Sequence, residues 1–336
     1  MEARIAETLP EERGWQFEPK WDGFRCLAYK DGARAVLMAK SGKPLTQFFP
    51  EVAAALKTLP AQRFVADGEL VIPVGERLSF DALQMRLHPA ESRRRKLAAQ
   101  TPALLVLFDL LADGKKDLTE ASLPERRMAL EKLFAAFPAG SPFRLSPYTR
   151  RLATAKGWLK LAGRGALDGV IAKPLDAPYL CGERAMIKVK NLKTADCVVG
   201  GFRYATGSRE VGSLLLGLFN DKGKLDHVGF TSGFATLDRP FLTRQLEALK
   251  GGPGFSGNAP GGPSRWSTER SGQWMPVKNK LVAEVRYDHV TDGRFRHGTK
   301  FLRWRPDKAP KNCTFDQLQA EARPSRVIAA LIRSKA

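Results

Sequence analysis

The alternation of apolar and polar positions changes character once along the chain, near residue 194. Before that point strand-like and helix-like patterns mix. Residues 24–29 and 34–39 flank a Lys30-Asp31-Gly32 turn and predict a β-hairpin. Residues 51–59 predict a helix, and the apolar, β-rich runs 64–73 and 103–111 predict strands. Residues 124–137 place Met128, Leu130, Leu133, Phe134 and Phe137 at helical spacing, and 154–166 predict another helix. Short strands are predicted at 169–173 and 186–190. After residue 193 the runs 197–204, 213–219, 225–234, 281–290 and 301–305 all predict strands, interrupted by one helix at 238–249. A small β-barrel is the natural way to bury such a set. The pattern therefore gives an α+β chain of two domains, residues 1–193 and residues 194–336, the second including a C-terminal tail. The Gly- and Pro-rich stretch 251–263 predicts a loop within the second domain, and no internal repeat is visible.

Composition agrees with two packed domains: 336 residues, 43% of them hydrophobic. Charge adds a partner. Lys and Arg number 55 against 35 Asp and Glu, a formal +20, which favours a polyanion and nucleic acid first. The acids and the core rule out a mere basic tail, although charge alone does not separate nucleic-acid enzymes from other basic proteins. Residues 91–96 concentrate Arg93, Arg94, Arg95 and Lys96, which read equally as a solvated helix face or as a DNA contact. Cys26, Cys181, Cys197 and Cys313 form no CxxC pair, so no zinc site is expected and a cytoplasmic protein is. Residues 1–14 lack an apolar signal core, and no run is long enough to span a membrane, so no membrane partner is expected.

The chemistry concentrates in Glu18-Pro19-Lys20-Trp21-Asp22-Gly23-Phe24-Arg25. A Lys-x-Asp-Gly match arises by chance in roughly one chain in ten of this size, so its company decides its meaning. A lysine attacks phosphorus only as the neutral amine, and its ordinary pKa is about 10.4, so neighbouring cations are needed to disfavour the ammonium. Lys188 and Lys190 alternate on a predicted strand and share one face, where they could do this and also hold a phosphate. Carboxylates for a divalent cation are available in Asp67-Gly68-Glu69 and Asp168-Gly169. Phe108 could sit in a core or stack on a purine. Near the C-terminus, Arg294–His297 and Arg303–Lys308 interleave basic and aromatic residues in a way that suits phosphate contact. Taken singly, each of these features has an ordinary structural explanation as a turn, a strand edge or a solvated face.

In that order and spacing the motifs resemble those of the covalent nucleotidyltransferases, and among them the ATP-dependent DNA ligases of the short bacterial ligase C type. The resemblance runs from Phe17 to about Lys308. It implies a nucleotidyltransferase domain of antiparallel sheets with flanking helices, followed by an OB-fold barrel. It also implies that Lys20 forms lysyl-AMP from ATP, with Asp22, Lys188 and Lys190 in the catalytic set. Glu18 would contact adenine and Phe108 would stack on it. Lys173 closes the fourth motif. Glu69 would hold the ribose or a metal, and Asp168 would bind Mg²⁺, with Mn²⁺ as an alternative. Arg25 would touch the 5′-phosphate of nicked duplex DNA, and Arg305 and Lys308 would orient pyrophosphate. Two positions depart from the family pattern. Asp168 stands where Glu is usual, and Lys40 stands where Arg precedes Ser-x-Gly, keeping the charge without the bidentate fork. A monomer is expected, and a repair protein as recruiter is a further expectation. RNA ligases and RNA-capping guanylyltransferases share the lysine motif and two-domain plan. A non-catalytic DNA-binding protein would explain the charge but not the joint presence of Lys20, Glu69, Asp168, Lys188 and Lys190.

Overall fold

A computed structural model of the chain describes residues 1–162, 167–234, 237–261, 272–288, 290–291, 293–296, 298–322 and 326–333. The chain divides into two compact units. One comprises Met1–Asn191 and the C-terminal segment from Arg323, and the other comprises Leu192–Ala322.

The principal strands of the first unit are β1 (Ala3–Ala6), β2 (Trp15–Trp21), β3 (Phe24–Asp31), β4 (Arg34–Ala39), β5 (Arg63–Val71), β6 (Leu104–Asp113), β7 (Phe143–Leu145), β8 (Leu167–Pro174) and β9 (Met186–Val189). They make two sheets, ordered β1-β9-β8-β2 and β7-β6-β5-β3-β4. The helices are α1 (Pro50–Thr58), α2 (Phe80–Met85), α3 (Glu91–Gln100), α4 (Leu123–Ala135) and α5 (Leu152–Leu161). One face of the larger sheet packs Leu37, Leu70 and Leu105 against Phe49 and Leu56 of the α1 region and Leu130 of α4. Helix α4 begins where the sequence says it should. Ser122 and Glu125 form a reciprocal cap, the Ser122 amide donating to Glu125 Oε2 at 2.8 Å, and a proline follows in the first turn. The smaller sheet packs Phe17, Val170, Ala172 and Val189 against Ala155 of α5. Helix α5 ends at Leu161, short of the predicted residue 166, and residues 163–166 lie outside those described.

Strand β2, which carries the Lys20 motif, was not predicted. Pro19 inside it reads as a strand breaker, but among the described residues β2 pairs within its sheet with β8 alone and meets only an isolated bridge to Thr149 on its other side, where a missing N–H is tolerated. Helix α3 contains the stretch 91–96, for which a helix face is one of the two readings, while strands β1 and β7 and helix α2 are also additions to the sequence reading. So is a last helix, treated below, which belongs to the first unit and not to a tail of the second.

The second unit contains β10 (Lys193–Tyr204), β11 (Val211–Phe219), β12 (Leu225–Gly233), β13 (Val282–Tyr287), β14 (Thr299–Trp304) and helix α6 (Arg239–Glu247) between β12 and β13. Pairing runs round a ring, β10-β11-β12-β14-β13 and back to β10. The only parallel pairing in that ring, β12 with β14, has just two registered positions, so the barrel stays partly open there. This is OB-fold connectivity. Its core includes Val198, Phe202, Leu216, Val228, Leu242 and Val285. The predicted strand at 281–290 stops at Tyr287, and a separate short strand starts at Val290. Of the predicted loop 251–263, residues 251–261 have no regular structure and 262–263 lie outside the described residues.

Candidate active site

The first unit holds a cleft of about 250 Å³ lined by residues from both of its sheets. Antiparallel register builds one wall. Glu18 on β2 stands opposite Ile171 on β8, which stands opposite Lys188 on β9, so the three form a cross-strand row. Lys20 stands opposite Gly169. Phe108 and Glu69 come from β6 and β5.

Two glycines make the close approaches possible. A Cβ on Gly169 would lie 2.1 Å from the Val189 carbonyl oxygen, and its φ of +153° is one that L side chains rarely adopt. A Cβ on Gly23 would lie 2.1 Å from the Leu70 oxygen. The Gly23 amide donates to Glu69 Oε1 at 3.1 Å, tying the turn after Lys20 to β5.

At one end of the cleft an ammonium sits against a ring. Lys173 Nζ lies 4.7 Å from the Phe108 ring centroid and donates to the Phe108 carbonyl at 3.3 Å. The same amine is 3.0 Å from Glu18 Oε2, while Gln16 donates to Glu18 Oε1 at 2.9 Å. Both charged residues are buried, and their pairing offsets the cost of desolvation. Asp109, also buried, lies 3.9 Å from Lys173 and is gripped by Arg126 at 2.8 Å and 3.3 Å.

At the other end, Lys20 Nζ contacts Asp168 Oδ2, and Lys190 Nζ lies 3.2 Å from that same oxygen. Lys188 completes a set of three lysines. Its amine is held below its ordinary pKa by burial and by the charges of Lys20 and Lys190. Glu69 is partly buried, and its carboxyl is pushed up to about 8 by lost hydration, with Lys20 and Arg25 pulling the other way. Arg25 forms a two-pronged pair with buried Asp67 at 3.1 Å and 2.6 Å and also donates to the Tyr179 hydroxyl at 3.1 Å. That hydroxyl donates to Asp67 Oδ2 at 2.7 Å. Asp67 is thus engaged by Arg25 and Tyr179, while Asp168 contacts Lys20 directly and Glu69 lies within reach of its charge. Lys40 is exposed and pairs with Glu2 at 2.6 Å, and Asp22 is partly exposed.

Arg305 and Lys308 lie in the second unit. Arg305 Nη1 donates to both Asp196 carboxylate oxygens, at 2.9 Å and 3.1 Å, while its Nε and Nη2 grip Asp307, and Lys308 reaches Asp196 at 3.2 Å. The supporting residues Gln16, Asp109, Arg126 and Tyr179 were not singled out from the sequence. Asp109 adjoins Phe108 and could have been; Tyr179 sits in irregular chain with no pattern to mark it.

Among the described residues no three His, Cys, Asp or Glu side chains converge as a metal site. Asp168 and Glu69 nonetheless suit a hard cation that takes one or two carboxylates and fills the rest of its coordination from phosphate and water. The site can therefore hold an aromatic base between Phe108 and a polar pair, put an amine and two further lysines at a phosphate, and present carboxylates for a divalent ion.

The family described as ATP dependent DNA ligase domain matches residues 2–190, and its C-terminal region matches residues 207–308. The chain is 45% identical to DNA ligase C2 of Mycolicibacterium smegmatis over 331 residues, covering 94% of this chain and 92% of that one. It is 39% identical to DNA ligase C of Mycobacterium tuberculosis over 340 residues, covering 95% and 93%. A solved structure from work on DNA binding with a minimal scaffold in Lig E DNA ligases superposes with TM-score 0.56 at 19% identity, over 91% of this chain and 99% of that one.

Proposed function

The chain belongs to the ATP-dependent DNA ligases, and from that premise we propose how its cleft performs the reaction and which residues take part. Lys20 attacks the α-phosphorus of ATP, forming a P–N bond as pyrophosphate leaves. The AMP then passes to the 5′-phosphate at a nick, and the 3′-hydroxyl displaces it. The observation that carries this assignment is the convergence of Lys20 and Lys190 on one oxygen of Asp168, in the same cleft as the Phe108–Lys173–Glu18 group.

Adenine stacks on Phe108, with Glu18 and Lys173 at its polar edge. Lys188 and Lys190 bind the α-phosphate and stabilise its added charge in the transition state. In the free protein Lys20 is held on Asp168, so attack requires that pair to part and leave the amine's electron pair facing phosphorus. Asp168 and Glu69 would hold Mg²⁺ or Mn²⁺, which would supply charge neutralisation at the phosphate. Aspartate at 168 is one methylene shorter than the glutamate usual there, and its contact with both lysines supports its fitness for the role. Arg25, held by Asp67 and Tyr179, is presented to the 5′-phosphate, and Lys40 gives a second, looser contact. Arg305 and Lys308 orient pyrophosphate in the first step. Asp196 and Asp307 keep them in place.

The substrate is a nick in duplex DNA, and the chain works as a monomer in the cytoplasm, in repair. The repair role is supported by 31% identity over 307 residues to the multifunctional non-homologous end joining protein LigD of Mycobacterium bovis, of which the match spans 37%. A recruiting repair protein remains part of this reading. The test uses ATP labelled at the α-phosphate. Wild-type protein takes a covalent label that survives denaturing electrophoresis and is released by acid, as a P–N bond is. Lys20→Ala takes none. Equal labelling of the variant refutes the assignment, and labelling from GTP in preference to ATP refutes the nucleotide.

A further inference from the structure

The last described helix, α7 (Arg326–Arg333), follows the second unit in the chain yet packs on the first. It is strongly amphipathic. Ile328 and Leu331 are buried, and Val327 and Ile332 are partly so. They join one apolar cluster with Trp21, Val71, Leu78, Leu104, Val106 and Leu167. At the helix's end, Arg333 pairs with Glu76 at 2.6 Å.

The bed of this helix consists of the neighbours of the reacting groups. Trp21 follows Lys20, and Leu167 precedes Asp168. Val71 lies two residues beyond Glu69 on β5, and Val106 lies two before Phe108 on β6; alternation puts each on the same strand face as its partner. Trp21 is tied further by its indole N–H, which donates to Ser146 Oγ at 3.0 Å. Strands β2, β8, β5 and β6 therefore meet beneath α7, and they are the strands that carry Lys20, Asp168, Glu69 and Phe108.

We propose that α7 is a positioning element for lysine adenylation: by seating Ile328 and Leu331 among Trp21, Val71 and Leu167 it fixes Lys20 relative to Asp168 and Glu69. The proposal rests on the adenylation reading above. The physical reason is sensitivity to placement, since a shift of about 1 Å at an attacking group can cost about 100-fold in rate. Nucleotide affinity depends on Glu18, Phe108 and Lys173, which share strands β2, β6 and β8 with the bed but adjoin none of its residues, whereas Lys20 and Asp168 are the immediate neighbours of Trp21 and Leu167, so affinity is less exposed to the loss of α7 than rate is.

The test is made in the full chain with Ile328→Glu/Leu331→Glu and, as a milder change that leaves only a cavity, Leu331→Ala. Three quantities are measured: the rate of lysyl-AMP formation at saturating ATP, the KM for ATP, and sealing of a nick that already carries AMP on its 5′-phosphate. The last needs no attack by Lys20. The expected result is at least a tenfold fall in adenylation rate for the double variant, with a smaller fall for Leu331→Ala. KM and sealing of the pre-adenylated nick stay within about threefold in both, and Ile328→Val/Leu331→Met restores the wild-type rate. Unchanged adenylation in the variants overturns the proposal. So does a parallel loss of adenylation and pre-adenylated sealing, which is what general destabilisation gives. Should the double variant fail to fold, Leu331→Ala alone decides by the same split. A wild-type chain that neither labels nor seals refutes the ligase assignment and not the role of the helix.

Discussion

At the scale of single residues, the site works by pairing charges that burial would otherwise make costly. Lys173 shows this most plainly. It and Glu18 are each about 97% covered, and Lys173 also faces the Phe108 ring. Removing one partner of such a pair strands the other, at a typical cost of about 3–5 kcal/mol. Lys173→Met is expected to lose stability on that order in denaturant unfolding and to raise the KM for ATP at least tenfold; a stable variant with normal KM would take Lys173 out of the base site. Glu69 carries the opposite signature. Its carboxyl is raised from 4.5 to about 8, so between those values the folded protein keeps a proton that the unfolded chain has released. Stability contributed by Glu69 is therefore fully present below pH 4.5 and is lost as pH rises through about 8. Glu69→Gln removes that titration, and its Tm is expected to fall less than the wild type's over this window. Parallel Tm curves for the two proteins would show that Glu69 is not the group responsible.

At the scale of elements, α3 poses the question left open by its sequence. The structure separates its cations. Arg94 is buried, donating to the carbonyls of His88 and Pro89 at 2.8 Å and 2.6 Å, and Arg95 pairs with Glu91 at 2.7 Å. Arg93 and Lys96 are exposed, one turn apart, where like charges repel. A phosphate backbone relieves that repulsion. Arg93→Ala/Lys96→Ala is expected to weaken binding of nicked duplex and lower the magnitude of its salt slope by about 2, with lysine adenylation unchanged. An unaltered slope would assign the helix face to solvent alone. Elements of this kind were unevenly legible. The hairpin, α4 and the five barrel strands announced themselves through period, caps and turns, because local physics decides them. Strand β2 hid behind Pro19, whose meaning depends on being at a sheet edge. Helix α3 buries only Arg94 and Ala98, so it has no apolar stripe to read. Lys20, Glu69, Asp168 and Lys188 could be nominated from motif order, whereas Tyr179 and Arg126 could not, since only the fold brings them to Asp67 and Asp109.

At the scale of the molecule, a net charge of +20 on 336 residues is an electrostatic property that no single contact explains. Binding to nicked duplex is expected to fall steeply with salt, by about 1,000-fold or more between 50 and 200 mM if roughly six to ten phosphates are contacted. Fluorescence anisotropy of a labelled nicked duplex measures this directly, and a flat response would refute a phosphate-dominated interface. The molecule is also threaded unusually: the first unit is built from two stretches of chain, and the whole barrel intervenes between them. A ribosome making this protein completes the nucleotide cleft's strands before the barrel and the supporting helix after it. Until Ile328 and Leu331 emerge, Trp21, Val71 and Leu167 lack the helix's share of their apolar cluster. If α7 positions Lys20 as proposed, a product terminated within the barrel is expected to charge itself poorly with AMP, and so seldom to occupy a nick it has no means of closing.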